Sequence, residues 1–372
     1  MINRDLGAII RKRLGTNKAI ILMGSRQTGK TTLLKLLFPE SNQTLWLNGD
    51  ELDVQRLFEN ISSTRLKAIL AGKNILVLDE AQRIADIGLR LKLITDQIPD
   101  VQVIATGSSS FNLANQINEP LTGRKWEYKM FPLSFREMVR HHGLLEEKRM
   151  LPHRLVYGYY PEVVSHPEDA KDLLKQLSDS YLYKDILMWE KIKKPDRLLR
   201  LLQALAFQIG NQVSYQELGE TCGIERKTAE AYLQLLEQTF IIFRLPSFNR
   251  NLRNELKSSR KIYFYDNGIR NALIANFSEM ESRQDIGALW ENWLVSQRII
   301  RNHYQGLWAN CWFWRTANQK EIDYLEEENG VLRGFEFKWN PNAKVRIPKI
   351  FKETYNAEIT TIHQDNFEDF LM

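Results

Sequence analysis

The sequence predicts an α/β fold that opens on a parallel sheet bearing a phosphate-binding loop, and three observations carry that prediction. Gly24-Ser25-Arg26-Gln27-Thr28-Gly29-Lys30-Thr31 satisfies G-x-x-x-x-G-K-[ST] at every fixed position. Short apolar runs alternate with helix-period stretches through residues 1–150, as strands covered by helices on both faces require. Far downstream, Asn329-Gly330 separates two strand-like runs, the strongest two-residue signal for a hairpin. The fold class is therefore a P-loop NTPase parallel sheet, then a helical segment with a winged helix-turn-helix, then a second α/β part.

In chain order, Ala19–Met23 reads as a buried strand and Thr32–Leu37 as an amphipathic helix. The glycine-rich turn between them aims backbone N–H groups and the positive helix end at one spot, a seat for phosphate. The candidate nucleotide-binding residues are Gly24, Ser25, Arg26, Gln27, Thr28, Gly29, Lys30, Thr31 and Thr32. Lys30 is placed to reach the β- and γ-phosphates, and the Thr31 hydroxyl to ligate Mg²⁺.

Further strands are expected at Thr44–Leu47, Asn74–Leu78, Val101–Ala105 and Trp126–Met130. The run Ile75-Leu76-Val77-Leu78-Asp79-Glu80 ends an apolar strand on two acids, the Walker B pattern. Asp79 then holds Mg²⁺ through water, and Glu80 polarises the attacking water. In ATPases with an extra strand between the two Walker strands, a polar residue at that strand's end touches the γ-phosphate or the water. Thr106 and Ser108 are the candidates. Arg124, just before the fifth strand, is a candidate arginine finger, in cis or from a neighbouring subunit. No Asn-Lys-x-Asp base-reading run follows, so ATP is expected rather than GTP.

Composition limits the alternatives. A chain of 372 residues holds two or three domains, and 43% hydrophobic with 26% charged residues is ordinary for globular proteins. The net charge of +5 permits nucleic-acid binding without arguing for it. Cys222 and Cys311 form no C-x-x-C pair, which points away from zinc and disulfides and toward a reducing cytoplasm. Charges at Arg11, Lys12 and Arg13 leave no signal-peptide core, and no apolar run is long enough to span a bilayer. The expected localisation is cytoplasmic, with no membrane partner; the oligomeric state stays open.

The middle of the chain reads as helix, turn, helix and wing. Leu198–Ile209 forms one helix, Ser214 caps Tyr215–Thr221 with Glu217 completing a capping box, and Glu225–Gln238 forms the next helix. Phe240–Arg244 and Lys261–Tyr265 are the wing strands. Between them, Arg244, Arg250, Arg253, Lys257, Arg260 and Lys261 face a single acid, Glu255, and make a candidate phosphate-contacting stripe for DNA.

With Asn329-Gly330 as a two-residue turn, Asp323 falls opposite Glu336, and Glu321 opposite Lys338. Strand alternation puts these four on one face, with Ile322, Tyr324, Phe335 and Phe337 on the other. Facing carboxylates repel, so a cation is expected between Asp323 and Glu336, with Lys338 beside a phosphate oxygen or a water. This is the D…E-x-K pattern of PD-(D/E)xK phosphodiesterases, and Glu291 on a preceding helix supplies a further acid. Ile322 stands where that pattern has proline. A solvated hairpin face with a Glu321–Lys338 ion pair is the alternative.

Taken together, these segments resemble a prokaryotic family of AAA-like ATPases fused to a C-terminal domain of uncharacterised function. The resemblance rests on Gly24–Thr31, Leu78–Gln82, Ala105–Ser109, Leu121–Arg124, Phe131–Glu137, Gly158–Glu162, Ser180–Ile186, Trp290–Asn292 and Glu336–Lys338. It implies an ATP-binding domain over 1–150, a helical linker and winged helix over 151–260, and a restriction-endonuclease-like domain over 261–372. The expected activity is Mg²⁺-dependent ATP hydrolysis coupled to the C-terminal half, acting on DNA. The alternatives are a nucleotide switch for a protein partner and a metal-dependent nuclease gated by ATP.

Overall fold

The computed structural model describes residues 1–107, 117, 120–181, 194–249, 260–316 and 318–372. Ser108, Arg250, Arg253, Lys257 and the Leu182–Ile186 part of the family signature lie outside the described residues. The chain divides into two compact units, Met1–Phe131 with Gln238–Phe240, and Pro132–Glu237 with Ile241–Met372. Among the described residues, no helix is long and apolar enough to cross a membrane.

The first unit is built on a five-stranded sheet. Its strands are β1 (Ala19–Met23), β2 (Thr44–Asn48), β3 (Ile75–Asp79), β4 (Gln102–Gly107) and β5 (Lys125–Lys129), in the order β2-β3-β4-β1-β5. Every pairing is parallel. The apolar run of β1 is wholly buried because the strand is central, with neighbours on both sides. The strand expected at Trp126–Met130 begins at Lys125 and is an edge, which accounts for its charged residues Lys125, Glu127 and Lys129. β4 separates the strands that carry the two phosphate-site motifs. Helix α1 (Asp5–Arg11) lies on α2 (Lys30–Leu37): a Cβ on Gly7 would stand 3.5 Å from Leu33 Cδ1.

The second unit begins earlier than residue 151. Ser134 and Glu137 form a reciprocal capping box that starts the helix Phe135–His142. The Phe135 N–H donates to Gln297 Oε1 at 2.7 Å, and its ring meets Trp293 edge-on. These contacts assign residues 132–150 to the second unit. A boundary at 260/261 would cut a strand. β6 (Gln212–Val213), β7 (Ile242–Pro246) and β8 (Arg260–Phe264) make an antiparallel sheet in the order β6-β8-β7. Helices Pro195–Phe207, Tyr215–Cys222 and Arg226–Gln238 accompany that sheet around Leu201, Leu205, Leu218, Leu233, Leu236 and Phe264. Ser214 caps its helix by accepting from Glu217 N, and Gly223 ends it at φ +64°.

The remaining sheet runs β12-β11-β10-β9, from β9 (Asn310–Arg315), β10 (Glu321–Glu328), β11 (Val331–Phe337) and β12 (Glu358–Ile362). Asn329 and Gly330 both adopt positive φ, +51° and +79°, as a type I′ turn requires. The hairpin pairs Glu328 with Val331 and Tyr324 with Phe335, the register expected from that turn. One correction concerns the apolar face. A register shift against β9 between Ile322 and Leu325 places both of these residues with Trp312 and Trp314, while Tyr324 packs on Phe335 and Phe370.

Candidate functional site

The phosphate loop joins β1 to α2 with Gln27 at φ +58° and Gly29 at φ +91°. A side chain at Gly29 would be strained, and Gly24 is constrained differently: a Cβ there would stand 2.1 Å from the Met130 carbonyl oxygen. Lys30 is buried, and its ammonium donates to the carbonyls of Gly24 and Ser25, each at 2.8 Å. The Thr28 hydroxyl donates to the Ser25 carbonyl at 2.9 Å. The loop is thus organised by its own residues before any phosphate is considered.

The sheet register brings the second motif to this loop. Leu22 pairs with Thr106 and Leu78 with Ala105, so the ends of β1, β4 and β3 lie side by side. The Thr31 hydroxyl donates to Asp79 Oδ2 at 2.8 Å, and the Thr106 hydroxyl to Asp79 Oδ1 at 2.5 Å. Thr106 Oγ1 also accepts from Glu80 N at 3.1 Å. Thr106, expected beside the γ-phosphate or its water, is fully buried and hydrogen-bonds both Asp79 and the Glu80 backbone. Glu80 sits at φ +49°, and a Cβ on Gly49 would come within 2.4 Å of its carbonyl oxygen. Gln82 Nε2 donates to Glu80 Oε2 at 2.5 Å. A threonine hydroxyl beside a carboxylate is a hard-oxygen donor set, which fits Mg²⁺.

One arginine stands elsewhere than the sequence suggested, and another that the sequence did not single out reaches the loop. The Arg124 carbonyl accepts from Ala19 N at the start of β1, whereas the phosphate loop leaves its other end. Five strand residues put those ends roughly 16 Å apart, and the Arg124 guanidinium pairs with Asp96 at 2.6 Å. The reading of Arg124 as a finger in cis is withdrawn. Arg4, which no motif singled out, reaches the loop: its Nη1 donates to Thr28 O at 2.6 Å and its Nη2 to Phe131 O at 2.7 Å.

In the second unit, the helix Ile286–Gln305 docks on β8 through Asn292, which donates to Phe264 O at 3.0 Å and accepts from Phe264 N at 2.8 Å. The preceding residue, Glu291, thereby meets the alternating β8 side chains Lys261 and Tyr263, at 2.8 and 2.6 Å. Lys261 also pairs with Glu321, which was expected opposite Lys338 and which pairs with Arg315 as well. Lys338 instead pairs with Glu336 at 3.2 Å and lies 4.0 Å from Asp323. Asp323 Oδ2 accepts from Phe337 N at 2.8 Å.

Glu291, Asp323, Glu336 and Lys338 do gather, but two ammonium groups are interleaved with the acids. Lys261 is only 2% exposed. Burial alone would depress its pKa; Glu291, then Asp323 and Glu321, hold it above the ordinary lysine value. Burial, then Glu291 and Glu336, raise the Asp323 carboxyl well above the carboxylate range, which favours its neutral form. Among the described residues, no three His, Cys, Asp or Glu side chains are disposed to hold a metal ion. Lys261 and Lys338 thus pair with the acids Glu291 and Glu336 at which a divalent ion was expected.

The basic stripe is also revised. Arg244 pairs with Glu237 and donates to the Tyr215 hydroxyl at 3.0 Å, and Arg260 donates to the same hydroxyl at 3.2 Å. With Lys261 turned into the carboxylate cluster, the described members of the stripe are engaged within the unit.

Comparison with known proteins finds three family matches along the chain, the first of which runs eight residues past the end of the first unit. Residues 16–139 match the AAA domain family. Residues 148–280 and 286–366 match two domains of unknown function, DUF8612 and DUF4143. An uncharacterized protein of Mycobacterium tuberculosis is 25% identical across 90% of this chain and 73% of its own length. Another, from Methanocaldococcus jannaschii, is 23% identical across 99% of this chain and 86% of its own. The solved structure described as the Walker-type ATPase of Pyrococcus abyssi aligns with a TM-score of 0.53 at 16% identity, covering 74% of this chain and 96% of that one. At that identity the likeness speaks for the fold alone. Residues 16–139 thus match the AAA domain family, and the loop and acid geometry of the first unit supports an AAA-like P-loop nucleotide-binding fold there.

Proposed function

We propose that the first unit binds ATP with Mg²⁺ and hydrolyses it. The observation that carries this reading is the Asp79 carboxylate, shared between the hydroxyls of Thr31 and Thr106. It joins the loop that seats phosphate to the strand that supplies the acids. Bound Mg²⁺ would supply charge neutralisation between the β- and γ-phosphates, held by Thr31 and, through water, by Asp79. Lys30 exchanges its loop carbonyls for phosphate oxygens, and the N–H groups of Gly24–Thr32 line the seat. Glu80, released from Gln82, orients the attacking water.

Within the second unit, residues 195–264 run helix–strand–helix–helix–strand–strand, with β6 and β7 flanking β8, an order that supports the winged-helix reading. We read it as the module that the nucleotide state controls. The use of Arg244, Arg260 and Lys261 inside the unit favours a protein-directed switch over action on DNA. ATP turnover measured with and without single- and double-stranded DNA, beside Lys30→Ala, tests both parts. DNA-independent turnover that Lys30→Ala abolishes is expected. Stimulation by DNA would restore the nucleic-acid reading, and no turnover at all would remove the ATPase assignment.

A further inference from the structure

Arg4 precedes α1, a short helix whose Leu6 and Ile10 are buried and whose Gly7 lies against Leu33 and Leu37 of the phosphate-loop helix. Its guanidinium forms a two-pronged bridge between backbone carbonyls far apart in sequence. One belongs to Thr28 inside the phosphate loop, the other to Phe131, the residue after which the chain passes to the second unit. Further contacts surround this bridge. Met130 N donates to Met23 O at 2.6 Å, and a Cβ on Gly29 would lie 3.7 Å from Met130 Cε and 3.8 Å from Arg4 Nη1.

The peptide between Thr28 and Gly29 is planar and trans, so its C=O and N–H point in opposite directions. Fixing the Thr28 oxygen on Arg4 therefore fixes the Gly29 N–H away from Arg4. Gly29 is the residue that opens α2, at φ +91°, where free N–H groups and the helix dipole favour an anion. A loop held this way has less freedom to lose when phosphate arrives.

We propose that Arg4 is a positioning residue of the nucleotide site: it presets the Gly29 N–H for phosphate and ties the loop to the end of the sheet at Phe131. This rests on the ATP-binding reading above. A lysine cannot replace it fully, because the planar fork reaches both carbonyls and a single ammonium does not.

The test is titration calorimetry of the full chain with Mg²⁺–ADP, together with steady-state ATP turnover, for wild type, Lys30→Ala, Arg4→Met, Arg4→Lys and Leu6→Ala. Arg4→Met is expected to weaken ADP about tenfold, the scale of ~1.4 kcal/mol, and to raise KM while kcat changes little. Arg4→Lys is expected to fall between it and wild type. Leu6→Ala, which loosens α1 without touching the bridge, should lower the melting temperature and leave ADP affinity unchanged. Wild-type affinity in Arg4→Met or Arg4→Lys, with binding lost in Lys30→Ala, overturns the role of Arg4 alone. Equal ADP loss in Leu6→Ala also overturns it, since helix packing would then suffice. No ADP binding by the wild type removes the nucleotide reading and this proposal together.

Discussion

Thr31 and Asp79 stand 48 positions apart in sequence and are joined by a 2.8 Å hydroxyl–carboxylate hydrogen bond. Parallel pairing makes that contact. β1 and β3 both run toward the loop end of the sheet, with β4 between them; β3 ends on Asp79 just past Leu78, and β1 leads through the phosphate loop to Thr31 in the first turn of α2. The hydroxyl and the carboxylate thus converge where one hard cation can use both.

In the proposed mechanism Glu80 activates the attacking water. Glu80→Gln keeps the strand end and its hydrogen-bonding shape but removes the carboxylate. Nucleotide affinity should stay within a fewfold of wild type while turnover falls by about 10²-fold or more. Calorimetry alongside phosphate release measures both, and wild-type phosphate release from this variant would reassign the base.

Thr106 acts at one remove. Its hydroxyl donates to Asp79 and accepts from Glu80 N, and it is fully buried. Thr106→Val leaves the carboxylate without one donor and the Glu80 amide without its acceptor, a loss of about 1.5–3 kcal/mol for a charge-assisted bond. If this orients the acids, kcat and Mg²⁺ affinity should both fall and excess Mg²⁺ should recover part of the rate. A variant that loses melting temperature but keeps the wild-type Mg²⁺ dependence would make Thr106 purely structural.

Asp266 gives the second unit a pH dependence. It is buried and accepts from Tyr159 N at 2.6 Å and Ile269 N at 3.1 Å. Burial raises its pKa to about 6, against the lowering by the backbone donors of Tyr159, Ile269 and Gly268. The native state therefore keeps a proton that the unfolded chain releases. The resulting stability is complete below about pH 4 and is lost as pH rises through about 6, a change of about 3 kcal/mol. Urea midpoints across that window should fall for wild type relative to Asp266→Asn, whose side chain does not titrate. Parallel curves for the two proteins would refute the shift.

Lys261 closes the carboxylate cluster, and its removal strands buried acids. Lys261→Met should cost about 3 kcal/mol or more in denaturant unfolding. Wild type should show no stoichiometric Mn²⁺ binding at Glu291, Asp323 and Glu336. Saturable Mn²⁺ binding that Asp323→Ala abolishes would reinstate the metal reading, as would Mn²⁺-dependent strand cleavage lost in the same variant.

Legibility in the sequence followed how local the physics is. The loop Gly24–Thr31, the strands beneath it and the turn at Asn329-Gly330 depend on neighbouring residues, so pattern reading located them. The distant partners of side chains were not legible. Nothing local announces the hydrogen bond from Thr106 to Asp79. Arg124 looked like a finger because its closeness to a strand says nothing about which end of the sheet it occupies. Lys261 was read as part of a basic stripe, yet its i, i+2 spacing to Tyr263 was a visible sign that both face one partner, Glu291. Arg4 carried no such sign, since its partners are backbone carbonyls 24 and 127 positions away.

The most direct test of the central claim is ATP hydrolysis by the full chain with Mg²⁺, with EDTA, and with Lys30→Ala. The geometry around Lys30, Thr31 and Asp79 predicts turnover that requires Mg²⁺ and disappears in Lys30→Ala, along with ATP binding. Turnover that persists in Lys30→Ala, or that is indifferent to EDTA, would contradict it.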